Sequence, residues 1–271
     1  MTEITIRSGI AKARMPLLKI LLLGILAGIF LALGAHASSV AAHGIGNVGL
    51  LRLVTGCVFP IGLILIVIVG GELFTGNCLM VEGLAARHYG FGRWLRNLIP
   101  VFIGNFIGSL IVVILLVLAN AFNYGDGALG AYAIKVALAK TNLPFLVALG
   151  SGILCNILVC VGVIGAAAAQ DISGKVIIIW LPIMAFVLAG FEHCIANMYY
   201  ILAGMFATLN PAYASKAQEL YGITNDQLAS LDLLALGNNL LPVTIGNVIG
   251  GVLVGLICYA AFKSRRLNPV K

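Results

Sequence analysis

Two of the long apolar stretches in this chain are interrupted near their midpoints by charged and small residues, and that pattern constrains the fold more than any other feature. The first interruption reads Gly70-Gly71-Glu72-Leu73-Phe74-Thr75-Gly76-Asn77 and the second Ala189-Gly190-Phe191-Glu192-His193-Cys194-Ile195-Ala196-Asn197. An ionisable residue at membrane depth is costly, because lipid cannot solvate it. Non-helical backbone at that depth must be buried in protein or line a water-filled cavity. Paired interrupted spans in the two halves of a chain point to a transport pathway built from broken helices.

The apolar runs read as six spans, at about residues 16–41, 51–84, 95–119, 143–169, 176–207 and 233–262. Each exceeds the roughly 20 residues that cross the hydrocarbon core. Charged residues make up 9% of the 271-residue chain, against about 25% in soluble domains. The expectation is therefore an all-α integral membrane protein. A polar N-terminal segment, 1–15, precedes one transmembrane domain, 16–262, and a basic tail, 263–271, follows it. The first span has no small-residue cleavage site after a short apolar core, so it reads as a retained helix and not a signal peptide. Two connections are polar, one after span three and the other at about 210–232.

The net charge of +7 does not imply nucleic acid, because the basic residues fall in short loops and tails. The N-terminal tail, the loop with Arg87, Arg93 and Arg96, the turn with Lys175 and the C-terminal tail all fall on one side of a six-span chain. The positive-inside rule puts that side, and both termini, in the cytoplasm of a multi-pass protein of the cell membrane. The six cysteines show no CxxC spacing and read as small packing residues. No metal or cofactor is implied. His36, His43, His88 and His193 do not cluster with acids at ligand spacing, which argues against an intramembrane enzyme.

The halves resemble each other. Ile103-Gly104-Asn105-Phe106-Ile107-Gly108-Ser109 in span three matches Ile245-Gly246-Asn247-Val248-Ile249-Gly250-Gly251 in span six. Gly24-Ile25-Leu26-Ala27-Gly28 in span one matches Gly152-Ile153-Leu154-Cys155-Asn156 in span four. With spans two and five broken, this is an inverted 3+3 repeat, the architecture also used by water and glycerol channels.

Half-helices are expected to start near Thr75 and near Cys194. Their N-termini carry partial positive charge and free N–H donors, which favour an anion. Glu72 and Glu192 hold equivalent places just before them and are expected to be structural, capping freed backbone N–H groups. Unperturbed histidine titrates near pH ~6.5, and a neutral His193 can donate a hydrogen bond to an anion or pass it a proton. Lys140 lies at the outer mouth of span four and can act as an electrostatic funnel or simply snorkel at the interface. Phe59, Leu63, Leu73, Phe74 and Phe186 recur at helical spacings on spans two and five, and form the candidate hydrophobic constrictions that would block hydrated ions.

At these residues the sequence resembles the formate/nitrite transporter family. Gly190-Phe191-Glu192-His193-Cys194-Ile195-Ala196-Asn197-Met198 matches the family's GFEHxIANM signature, and Gly71-Glu72-Leu73-Phe74-Thr75-Gly76-Asn77 its loop in span two. Gly152 to Asn156 and Pro242 to Asn247 match two further segments. The resemblance implies a homopentamer in the lipid bilayer, one aquaporin-like pore per protomer. It implies a small anion substrate or its conjugate acid, foremost formate, with nitrite, hydrosulfide, acetate and lactate as alternatives. His193 corresponds to the central pore histidine, Thr75 to its partner, Asn156 and Asn247 to residues that line or brace the pore, and Lys140 to the vestibule lysine. A neutral-solute pore for water or glycerol is the more remote reading, since the paired Asn-Pro-Ala repeats of such pores are missing. After Lys140 the chain reads Thr141-Asn142-Leu143-Pro144-Phe145-Leu146-Val147, without the charged residues that formate members often carry there.

Overall fold

The computed structural model describes residues 2–262. In chain order its helices are α1 (Thr2–Arg14), α2 (Leu17–Ala42), α3 (Val48–Val58), α4 (Ile61–Val69), α5 (Phe74–Asn77), α6 (Val81–Ala85), α7 (Phe91–Leu118), α8 (Ala128–Thr141), α9 (Phe145–Ala168), α10 (Ile172–Ala189), α11 (Cys194–Thr208), α12 (Pro211–Tyr221), α13 (Asn225–Ala229) and α14 (Leu233–Phe262). A 3-10 turn, Cys78–Met80, joins α5 to α6. Among the described residues six helical segments are long and apolar enough to cross a membrane: α2, α3 with α4, α7, α9, α10 and α14. The expected tail, 263–271, lies outside the described residues.

Each half of the chain is built on one close helix pair. In the first half α2 packs on α7, and in the second α9 packs on α14. Small residues allow this, since without a hydrophobic driving force membrane helices gain by close backbone approach. At Gly108 a Cβ would lie 2.2 Å from the Ile25 carbonyl oxygen, and at Gly250 one would lie 2.3 Å from that of Ile153. These glycines hold the same place in the two repeats, three residues after Asn105 and Asn247. The matching segments picked out in the sequence are thus the seams of the two halves.

The second span bends before it breaks. Pro60 lacks an N–H and its ring crowds the preceding turn, so α3 stops at Val58 and α4 restarts at Ile61. Phe59 sits at that bend, buried. The true breaks follow at Gly70 (φ +106°) and Gly190 (φ +76°), which end α4 and α10 in conformations L side chains rarely adopt.

Both polar connections prove to be helical. The one after span three holds α8, whose Leu129, Ile134, Ala137 and Leu138 are buried, and which packs against α11. The segment at 210–232 holds α12, capped by the Asn210 side chain with Pro211 at its first position, and α13, opened by a Thr224–Gln227 capping box. The N-terminal segment is also helical. It docks α1 on the 3-10 turn and α6, much as α8 docks on α11. Each repeat therefore contains four elements: a surface helix, a straight span, a broken span and a second straight span.

Candidate functional site

At each break the backbone leaves the helix, and a buried asparagine from the partner span takes up its polar groups. Asn105 Oδ1 accepts the Phe74 N–H at 3.0 Å, while Asn105 Nδ2 donates to the carbonyls of Gly24 (2.8 Å) and Glu72 (2.9 Å). In the other half Asn247 Oδ1 accepts the Cys194 N–H at 2.9 Å, and its Nδ2 donates to Gly152 (2.8 Å) and Glu192 (3.0 Å) carbonyls. Both asparagines are fully buried. The first N–H of each half-helix is thus already engaged, which corrects the expectation that these donors stand free. Asn105 belongs to this frame as fully as Asn247. Its signal was its place in the internal repeat.

Glu72 and Glu192 hold a second layer, and here too the structure corrects the reading. Their carboxylates do not cap backbone N–H groups; they receive a lysine and an asparagine. Lys140 Nζ lies 3.0 Å from both oxygens of Glu192, which also accepts Asn197 Nδ2 at 2.6 Å. Asn197 Nδ2 donates further to Asn239 Oδ1 (2.8 Å), and Asn239 Nδ2 returns to the Lys140 carbonyl (2.8 Å). In the first half Lys12 Nζ lies 3.0 Å from Glu72, Asn77 Nδ2 donates to Glu72 (2.5 Å) and to Asn97 Oδ1 (2.8 Å), and Asn97 Nδ2 returns to the Lys12 carbonyl (3.5 Å). A buried charge persists only when it is paired and its remaining sites are bonded, and a carboxylate two residues before a half-helix needs a cation more than a backbone donor. The match of Lys12 with Lys140 places α1 inside the inverted repeat. From sequence, Lys12 was one basic residue in a polar segment, with no spacing that tied it to Glu72.

Thr75 and His193 depart from this symmetry. The repeat equates His193 with Leu73 and Thr75 with Ile195. Where the two half-helices meet, Thr75 Oγ1 lies 3.0 Å from His193 Nε2, and both residues are buried. His193 Nδ1 also accepts the Ala196 N–H at 3.2 Å, so the ring caps α11. A neutral imidazole carries one N–H. With Nδ1 accepting, that hydrogen sits on Nε2 and is donated to Thr75 Oγ1, whose own O–H is left to donate elsewhere. Asn156 braces the junction by donating to the carbonyls of Thr75 (3.2 Å) and Asn247 (2.6 Å).

A cavity of about 490 Å³ descends to this junction from the side that carries α8. Its wall holds Arg52, Tyr132, Lys135 and Lys140, and His193 lies at its floor beside Phe59 and Phe186. The Phe186 ring stacks on His193 with centroids 5.9 Å apart and meets Phe59 edge-on at 5.8 Å. Leu63, Leu73 and Phe74 are buried in the core that contains Phe59 and Phe186, but they are not part of the cavity wall. Phe74 packs against Phe102, with centroids 5.0 Å apart.

These features define the class: a multi-pass membrane protein in which two half-helices meet at a buried polar junction under a cationic vestibule. The formate/nitrite transporter family profile matches residues 1–261. The chain is 36% identical over 260 residues to the probable formate transporter of Methanothermobacter thermautotrophicus, covering 89% of this chain and 88% of that one. It is 33% identical over 266 residues to the formate channel FocA of Escherichia coli (strain K12), covering 97% and 93%. A solved pentameric formate channel with formate bound superposes with a TM-score of 0.82 at 35% identity, over 92% of this chain and 98% of the other. An FNT family ion channel gives 0.81 at 28% identity, over 96% and 98%. The chain belongs to the formate/nitrite transporter family.

Proposed function

We propose that this protein is a homopentameric channel of the cell membrane for formate, and for related small monovalent anions, with one pathway through each protomer and both termini in the cytoplasm. The observation that carries this reading is the Thr75–His193 contact. It offers one hydroxyl donor at an apolar constriction, beneath a vestibule lined by three cations and one carboxylate. The vestibule concentrates anions. The Phe59–Phe186 pair resists them, because a bare charge pays a large desolvation penalty among aromatic walls. A weak acid escapes that penalty by taking up a proton.

The proton is supplied by water, and His193 acts as a donor that orients Thr75. A second proton on His193 could go only to Nδ1, which would displace the Ala196 N–H and uncap α11. Lys140 and Lys12 stand at the two breaks and serve the two sides of the membrane alike, each held by its glutamate. Formate and nitrite both suit this chemistry, since each is a small planar anion whose neutral conjugate acid has a much lower desolvation cost than the anion.

The test is flux into liposomes holding the purified protein, with formate, nitrite, hydrosulfide and glycerol compared at equal gradients. Formate flux that rises as the outside is acidified, with glycerol excluded, is the expected result. Glycerol flux as fast as formate flux would overturn it.

A further inference from the structure

We propose that Arg52 is a specificity-determining residue of the vestibule, a guanidinium fork that selects planar two-oxygen anions over single-atom ones before they reach His193. This rests on the reading above that the vestibule receives small anions. Of the cationic side chains in the cavity wall, two are already engaged. Lys140 is held by both oxygens of Glu192 at 3.0 Å, so the pair adds little net charge. Lys135 points its ammonium at the Tyr221 ring, 4.4 Å from the centroid. Arg52 lines the same cavity; its charge acts on the nearby Tyr132 hydroxyl, and among the described residues no hydrogen bond or carboxylate engages its guanidinium.

Its position is nonetheless set. A Cβ on Gly190 would lie 2.5 Å from Arg52 Nη1 and 3.0 Å from Cζ. The guanidinium therefore lies against the bare backbone of the break, two residues before Glu192 and three before His193. Gly190 ends α10, and the negative end of that helix dipole favours a cation there. The helix holds the charge without consuming the N–H donors. Arg52 is an exposed residue in the wall of the same cavity that has His193 in its lining.

A guanidinium presents parallel N–H groups whose spacing matches the two oxygens of a carboxylate, and it binds them bidentately. Formate and nitrite both offer two oxygens on one atom. Hydrosulfide offers one sulfur, which can satisfy the charge but not the fork. A lysine at the same place would supply the charge alone. The selection made by Arg52 is thus distinct from the funnel made by vestibule charge, which ranks anions by charge and not by shape.

The experiment uses the full-length protein in liposomes and measures initial flux against concentration for formate, nitrite and hydrosulfide, in wild type, Arg52→Gln and Arg52→Lys. For Arg52→Gln the half-saturating concentrations of formate and nitrite should rise about fivefold, the scale of one exposed bidentate contact. Hydrosulfide should move by less than about twofold. Arg52→Lys should keep the hydrosulfide value and recover less than half of the loss for formate and nitrite. Should Arg52→Gln fail to assemble, Arg52→Lys decides alone, by its formate-to-hydrosulfide ratio. An equal shift for all three anions would overturn the proposal by reducing Arg52 to diffuse charge, and so would no shift at all. In both cases wild-type formate flux leaves the channel reading intact. A wild type that passes none of the three anions overturns both.

Discussion

At the scale of single residues, His193 has two duties that its substitutions separate. Its Nδ1 caps α11 and its Nε2–H orients Thr75. Asparagine can reproduce an acceptor and a donor on one side chain. His193→Asn should therefore keep formate flux and its rise with acidity between about pH 5 and 7, the range in which a titrating histidine would show itself. His193→Phe removes both groups and should abolish flux at every pH. A flattened pH profile in the asparagine variant would instead make His193 the proton carrier. Lys140 can be dissected in the same way. With side chains 16% and 9% exposed, Lys140 and Glu192 form a pair whose breakage leaves a nearly buried charge. Lys140→Met should cost about 2–4 kcal/mol, toward the low end for a buried pair, and should lower the unfolding temperature in detergent. Lys140→Met with Glu192→Gln should regain most of that stability and, because the pair adds little net charge to the vestibule, most of the anion uptake as well. Uptake that stays low in the double variant would show that the lysine acts on the anion beyond its pairing with Glu192.

At the scale of elements, the frame is two helix pairs clamped by two asparagines. Asn247→Ala removes the acceptor for the Cys194 N–H and the donor to two carbonyls. Stranding buried partners costs about 1–3 kcal/mol each, so thermal unfolding should shift strongly and Asn105→Ala should shift it comparably. A much smaller effect of Asn105→Ala would mean that the two halves are not energetically equivalent. The seams are just as exacting. Gly250→Ala places a methyl against the Ile153 carbonyl and should destabilise by about 1–3 kcal/mol through overpacking. Gly150→Ala, where a Cβ meets nothing within 4 Å, should be close to neutral in the same melt.

At the scale of the whole molecule, the outward faces of the straight spans are apolar. Leu18 and Leu22 on α2, Leu115 on α7 and Leu241 and Ile257 on α14 are all exposed in the single protomer. Lipid or neighbouring protomers must cover them. Mass measurement in mild detergent should find five copies, and a stable monomer or dimer would count against the proposed assembly. The same scale explains why α1 matters. It carries Lys12 to Glu72 across 60 positions of sequence, so Lys12→Met should lower stability, as is expected of its counterpart Lys140→Met, and weaken flux with it.

The sequence by itself determined the class, the spans and the place of both breaks. Apolar length, Gly70 and Gly190 act locally, through solvation and backbone sterics that need no partner. The repeat was legible too, because close helix packing demands small residues at fixed spacing. The GFEH stretch marked His193 for the same reason, as a costly residue that lipid alone would not tolerate. What joined Lys12 to Glu72, gave the cap of Phe74 to Asn105 and set Arg52 against Gly190 was decided only in three dimensions. These are contacts between spans, and they turn on which faces the helices present once they cross. The polar segments hid α8 and α12 because α12 rests on the Asn210 cap and two buried residues and α8 on burial against α11, not on apolar length. A glutamate beside a helix start suits a backbone cap by spacing alone, whereas a lysine brought in from a distant helix binds it more strongly in a largely buried site, where the effective dielectric is below that of water.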